Sequence, residues 1–294
     1  MADILKKTLL ENSVKRIVSI IAFASVFVVA LIFLFLFSEG FKLLQFESLP
    51  AMLFGSDWQP TSSNPRYGML PIILGSLLVT VGALLLAIPF GIGCAIYLSE
   101  LANPKISEIL KPTIEIIAGI PSVVLGFFAL VVLSPVLSQL FGLPSGLNAL
   151  NGALVLALMV VPTIETISED ALRAVPKGFR EASLAIGATK WETIWHVVLP
   201  SALPGIIVAV LLGFGRAVGE TMVVLMATGN AATIPSCFLD PVRTMTGTIA
   251  AEMGEVAIGG VHYQALFMIA CILFLISWAV NMAAGMFIKR QRLA

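Results

Sequence analysis

From Ile17 to Phe37 the chain carries no charged side chain, and four basic residues, Lys6, Lys7, Lys15 and Arg16, stand before it. At 1.5 Å of rise per residue, roughly 20 helical residues cross a hydrocarbon core about 30 Å thick, so a run of this length suits lipid better than a soluble core. The same layout also resembles the opening of a secretory signal peptide. The run is longer than a signal h-region, however, and no small-residue cleavage site follows Phe37, so the expectation is an uncleaved anchor.

Five further apolar stretches follow: Leu70 to Leu98, Thr113 to Leu133, Gly152 to Ile167, Ala202 to Ala227 and Ala265 to Ile288. The fourth is the shortest and holds Pro162 and Glu165, so it must either continue past the core or be shielded by neighbours. The composition agrees with a membrane solvent. Hydrophobic residues make up 59% and charged residues 12%, against roughly 45 to 50% and about 25% in soluble domains. The expectation is therefore an all-α, polytopic membrane protein with about six transmembrane helices, forming one domain over residues 1–294.

Lysine and arginine accumulate in cytoplasmic loops. Of the 17 in this chain, Lys42, Arg66 and Arg243 fall on one side, Arg216 lies within a helix, and all the others fall on the side of the termini. Both termini are thus expected in the cytoplasm and the loop 38–69, rich in turn residues, outside; that loop either contacts a soluble partner or is simply solvated. The net charge of zero says little once charges are sorted by side, and no nucleic-acid footprint is visible. Cys94, Cys237 and Cys271 suggest no disulfide framework and are expected simply to pack. His196 and His262 are too sparse for a metal site, no catalytic constellation or cofactor motif is present, and no G-x-x-x-x-G-K-[ST] sequence is available to cradle ATP phosphates.

The connection 168–200 is the longest cytoplasmic segment. Within it Leu184, Ala188, Trp191, Trp195 and Val198 recur at helical spacing. Such a stripe either lies in the headgroup region as an aromatic anchor or docks into a groove on another protein. Periodicity does not choose between them.

The residues across that segment do carry a resemblance. Glu181-Ala182-Ser183, Gly187, then Val197, Leu199 and Pro200 are similar to the EAA loop of ABC importer permeases (Glu-Ala-Ala, three residues, Gly, nine residues, Ile, one residue, Leu-Pro), with Ser183 and Val197 as departures. The resemblance implies a type I importer fold and a coupling helix seated on a separate ATP-hydrolysing subunit. Gly187 suits a sharp change of direction and Pro200 the start of a new helix.

A second segment, Gly215-Arg216-Ala217-Val218-Gly219-Glu220-Thr221, is similar to the Arg-Ala-x-Gly-Glu-Thr signature of phosphate-specific ABC transport permeases. The stretches Pro89 to Gly93, Leu98 to Glu100 and Gly119 to Ser122 extend that likeness over about residues 15–290, and the chain looks more like the PstC type than the PstA type. The resemblance implies a non-catalytic subunit of the plasma membrane, or of the inner membrane in a double envelope. Its partners would be a second, PstA-like permease, ATP-binding subunits at the cytoplasmic loop, an extracytoplasmic phosphate-binding protein and membrane lipid. Sulfate, molybdate or another oxyanion is an alternative cargo, and an ion-coupled secondary carrier a more distant one.

Arg216 and Glu220 are expected one turn apart on a single helix, where a salt bridge between them is geometrically natural. Either they neutralise each other to hold the bundle together, or Arg216 meets the substrate with a planar fork of donors suited to a tetrahedral oxyanion. In the second reading Glu220 tunes Arg216 or accepts a proton from phosphate, which can donate a hydrogen bond where sulfate cannot. Gly213, Gly215 and Gly219 are expected to permit close helix packing, and Thr221, less so Thr80, to line a path. Glu115 is expected in an interfacial pair with Lys111 on a helix that Pro112 begins, and Glu165 to mark emergence at the cytoplasmic surface.

Overall fold

The computed structural model describes the backbone of residues 2–291 and the side chains of residues 14–283, 285 and 286. Of the basic residues used to orient the chain, Lys6, Lys7, Lys289, Arg290 and Arg292 have side chains outside that range. The helices are α1 (Ala2–Gly40), α2 (Leu49–Phe54), α3 (Leu70–Ile96), α4 (Pro104–Ala118), α5 (Ser122–Phe128), α6 (Ser134–Phe141), α7 (Ala149–Arg173), α8 (Lys177–Ala185), α9 (Lys190–Thr193), α10 (Leu199–Gly219), α11 (Met222–Ala227), α12 (Met245–Glu252) and α13 (Val261–Gln291). A two-stranded antiparallel hairpin, β1 (Trp58–Gln59) and β2 (Arg66–Tyr67), pairs Trp58 with Tyr67 between α2 and α3. Among the described residues six helical spans are long and apolar enough to cross a bilayer: Val14–Gln45, Leu70–Leu101, Ser122–Phe141, Ala149–Arg173, Lys190–Gly219 and Val261–Ala283.

Three spans differ from the sequence expectation, each for a local reason. Pro112 does not begin a helix; it lies inside α4, which buries no residue fully and ends at Gly119. The chain turns at Ile120 and Pro121, because the residue before a proline is driven out of helical geometry, and the third span starts at Ser122 and reaches Phe141. The fourth span is longer than Gly152 to Ile167. Asn148 caps it by accepting the N–H of Asn151, and it runs through Pro162 to Arg173. The fifth is not one helix from Ala202 to Ala227, since α10 stops at Gly219 and Glu220 is extended, with φ −67° and ψ 135°.

The centre of the bundle is the packing of α7 between α3 and α10, through Val79, Ala83, Leu156, Val160, Ile164 and Ala209. Ile164 is the knob of this contact. A β-carbon on Gly91 of α3 would lie 2.9 Å from it, and one on Gly213 of α10 would lie 2.8 Å from it. Lipid tails give apolar side chains no reason to prefer protein, so close backbone approach at small residues is what joins membrane helices.

A second cluster joins α13 to the segment 41–69, with Leu43, Met52, Trp58, Tyr67, Met245 and Leu266. The helix α1 touches the rest through its C-terminal end, where Phe33, Phe35 and Phe37 meet Phe267 and Phe274. The most apolar window of α1 is not buried within the chain, which fits a helix whose solvent is lipid.

Candidate functional site

Arg216 stands three residues before the end of α10 and against the middle of α7. Its Nη1 donates to Thr163 Oγ1 at 2.8 Å. Thr163 stands 14 residues from the start of α7 and 10 from its end, so the guanidinium sits roughly 21 Å and 15 Å of helix rise from the two ends. A charge at that depth facing lipid costs about 2.5 to 3.5 kcal/mol on insertion scales, so the position needs a polar purpose. The side chain is exposed within the single chain.

The expected bridge from Arg216 to Glu220 is not formed. Glu220 Oε1 instead accepts the backbone N–H groups of Thr221, Met222 and Val223, at 3.0, 3.0 and 3.4 Å. A carboxylate so placed satisfies the free donors at the start of α11 and breaks the helix that i,i+4 spacing had assumed. The break is completed from α12, whose Thr246 Oγ1 donates to the Glu220 carbonyl at 2.6 Å. Non-helical backbone at membrane depth is tolerated where it is satisfied in this way.

Thr221 donates its hydroxyl back to the Gly219 carbonyl at 3.3 Å. Thr80 shares a small void with Ser76, Glu220, Thr244 and Thr246. The three glycines divide. Gly213 packs against Ile164, whereas a β-carbon on Gly215 or Gly219 would meet nothing within 4 Å. An open strip of backbone therefore flanks Arg216. Thr163 was not singled out from sequence, and only the register of α7 against α10 brings it to the guanidinium.

The second region is the elbow that follows α7. Gly187 adopts φ +92°, a conformation costly for other residues, and separates α8 from α9, which opens with a capping box of Thr189 and Glu192. The expected single stripe is divided by this turn: Leu184, Trp191 and Trp195 are exposed while Val198 is buried. Ile186, at the corner, is 87% exposed, and the rings of Trp191 and Trp195 meet edge to face at 6.0 Å.

Glu181 and Ala182 face outward, Ser183 is buried, Val197 and Leu199 are half-buried, and Pro200 lies in the first turn of α10. Ser183 ties the two halves of the elbow together through a 2.9 Å hydroxyl contact with Thr193.

The elbow is also tied to the membrane helices. Arg180 of α8 donates Nη2 to Glu100 Oε1 at 2.6 Å and Nε to Glu100 Oε2 at 3.2 Å. It donates as well to the carbonyls of Leu172 and Val175, at 2.8 and 2.6 Å. Nearby, the fully buried Glu169 is paired with Lys111 of α4 at 2.7 Å and with Arg173 at 2.6 Å. The hydrogen bond from Lys111 to Glu169 holds the Lys111 ammonium above its ordinary pKa, outweighing partial burial.

Lys111 thus pairs with α7 and not with Glu115. Glu165 does not mark emergence, since it is fully buried four residues before Glu169 and its Oε2 accepts from Thr166 at 3.2 Å.

Glu252 of α12 gathers Arg243 Nη1 at 2.5 Å, His262 Nε2 at 2.8 Å and Trp58 Nε1 at 3.2 Å. The hairpin, the 229–244 loop and the start of α13 are held together by that carboxylate. A concave surface beside it is lined by Trp58, Thr61, Ser62, Glu255 and His262.

Residues 87–293 match the family described as "Binding-protein-dependent transport system inner membrane component". The chain is 42% identical over 222 residues to the "Probable ABC transporter permease protein YqgH" of Bacillus subtilis, covering 76% of this chain and 72% of that protein. It is 32% identical over 270 residues to the "Phosphate transport system permease protein PstC" of Xylella fastidiosa, covering 85% and 82%, and 34% identical over 259 residues to the PstC of Pasteurella multocida, covering 82% and 80%. Among solved structures, a bacterial alginate ABC transporter superposes with a TM-score of 0.61 at 15% identity, over 92% of this chain and 94% of the other. An inward-facing MetNI methionine ABC transporter superposes with 0.57 at 20% identity, over 74% and 92%. With its helical spans, its elbow and these relatives together, the chain belongs to the family of membrane permease components of binding-protein-dependent ABC transport systems.

Proposed function

We propose that this chain translocates inorganic phosphate as the permease subunit of an ATP-driven importer. The observation that carries the proposal is Arg216, a permanently charged group at mid-membrane depth, held from one side by Thr163 and flanked by the bare backbone of Gly215 and Gly219. One terminal nitrogen is committed to Thr163, and the rest of the planar fork is available to oxyanion oxygens. The names of relatives that are phosphate transport permeases support phosphate as the cargo.

Arg216 meets the anion, while Glu220 and Thr221 form the broken end of the helix beside it. Glu220 Oε1 is committed to the α11 backbone, which leaves Oε2 to accept a hydrogen bond from a protonated phosphate. Sulfate at neutral pH carries no proton for such a bond, and an unpaired acceptor near a like charge disfavours it.

The partners in this proposal are a second, PstA-like permease against the open face of α10, a phosphate-binding protein on the outer surface built around Glu252, and ATP-hydrolysing subunits on the elbow. Glu181, Ala182, Ser183, Gly187, Val197, Leu199 and Pro200 make up that coupling segment. Its exposed Phe179, Leu184, Ile186 and Trp191 suit a groove on another protein. Both termini lie in the cytoplasm, and hydrolysis belongs to the partner subunits.

The test is uptake of radiolabelled phosphate by cells lacking other phosphate importers and carrying the complete system, with sulfate as competitor. Uptake that excess sulfate leaves untouched is the expected result. A properly assembled complex that imports no phosphate, or whose uptake sulfate abolishes, would reassign the cargo to another oxyanion.

A further inference from the structure

Only Ala174, Val175 and Pro176 lie between the end of α7 and the start of α8. A connector of this kind is by itself a hinge, since Ala174 and Val175 keep soft φ and ψ and Pro176 fixes only its own φ. If it bent freely, a push on α8 from an ATPase would be absorbed there and would not reach the membrane.

Arg180 spans this connector. Two of its bonds go to the carbonyls of Leu172, within the last turn of α7, and of Val175, inside the connector itself. Its other two go to both oxygens of Glu100, in the π-helical turn Tyr97–Leu101 that ends the second span. The pair is largely sheltered, with side-chain exposures of 20% for Arg180 and 8% for Glu100. One planar group thus braces α8 to α7 and α3 together, a geometry that a lysine, with its compact point charge, cannot reproduce. Those two helices are clamped to each other and to α10 through Ile164, and α7 carries Thr163, the partner of Arg216.

We propose that Arg180, with Glu100, is the positioning residue that makes the elbow rigid, so that displacement of α8 moves α7 and α3 as one body. The inference rests on the reading of the elbow as the ATPase-coupling segment. Arg180 touches neither phosphate nor nucleotide in this account. Its role is to convert hydrolysis into movement at the transport site.

The experiment reconstitutes the complete complex in proteoliposomes and measures phosphate transported per ATP hydrolysed, normalised to assembled complex. Wild type is compared with Arg180→Gln, Glu100→Gln and the double variant. Arg180→Gln is expected to keep hydrolysing ATP while the ratio falls about tenfold, within the range of ordinary coupling free energies. Glu100→Gln, which leaves the two carbonyl bonds in place, should lower the ratio less, and the double variant should be no worse than Arg180→Gln, as for two residues of one interaction.

If transport and hydrolysis fall in proportion, so that the ratio is unchanged, Arg180 only maintains the shape of the elbow and the proposal is overturned. Should Arg180→Gln not assemble, the ratio in Glu100→Gln decides. Ile186→Asp serves as the separate control on the docking reading. ATPase released by that variant supports the elbow as the docking segment, and ATPase still held by it overturns that reading, whatever the Arg180 ratios give.

Discussion

The Arg216 site and the elbow after α7 are both built around an arginine, yet they hold it differently. Arg180 is bound on both edges by a carboxylate and two carbonyls. Among the described residues Arg216 makes a single side-chain hydrogen bond, to the neutral hydroxyl of Thr163. A part that transmits displacement gains from being fixed, because slack in it wastes the stroke. A part that must take and release an anion gains from weak ties, since every bond made in the empty state has to be exchanged when the substrate arrives. The acidic residues follow the same division. Glu100 binds its arginine directly, whereas Glu220 caps α11 and, in the proposed function, leaves the Arg216 charge to the substrate.

The sharpest way to break this contrast is Arg216→Lys, which keeps the charge but loses the fork. Phosphate uptake per assembled complex should drop by about a hundredfold, the scale expected when a charged hydrogen-bonding partner is lost from a desolvated contact. Uptake close to wild type would mean that charge alone suffices.

Next in size is Thr163→Val, which removes the hydroxyl that Arg216 leans on. A hydrogen bond to a charged group is worth about 1.5 to 3 kcal/mol, so the KM for uptake should rise about tenfold with kcat less affected, and Thr163→Ser should restore it. Glu220→Gln keeps an oxygen for the α11 donors and removes the charge. The preference for phosphate over sulfate should fall about threefold, a few tenths to one kcal/mol, and an unchanged preference would leave Glu220 as a helix cap alone.

The smallest effect belongs to the 229–244 loop, which contains neither Arg180 nor Arg216. Asp240 accepts the N–H groups of Ser236 and Cys237 at 2.7 and 3.0 Å, and these bonds lower its pKa from the ordinary 3.8. A depressed pKa stabilises the loop above about pH 4 and ceases to do so as pH falls through the folded value. Hydrogen exchange at residues 236–240 should therefore quicken only in acid. Asp240→Asn should quicken it at neutral pH, with uptake changed by less than about twofold.

Much of the fold was legible because membrane crossing depends on the sum of local hydropathy, which a sequence displays directly. Gly187 was legible for a similar reason, since a glycine in a spaced motif points to a backbone conformation and the turn has φ +92°. The break at Glu220 was not. In the sequence Arg216 and Glu220 have the spacing of a helical ion pair, and only the carboxylate's competition for the α11 amides dissolves it. The burial of Glu169 is likewise invisible in the sequence, because it depends on Lys111 reaching it from α4 and on Arg173. Arg180 and Thr163 depend on registers between distant helices, which no local pattern contains.

In the proposed function the open strip beside Arg216 is the route of the anion and not a sealed contact with another helix. The most direct measurement places a cysteine at Gly219 in a complex with Cys94, Cys237 and Cys271 replaced, and follows its reaction with a membrane-impermeant thiol reagent. The account predicts labelling that phosphate slows and sulfate does not, because Gly219 borders the anion beside Arg216. A cysteine that never reacts, or one that reacts at the same rate with and without phosphate, would contradict it and leave Arg216 as a structural charge between permease subunits.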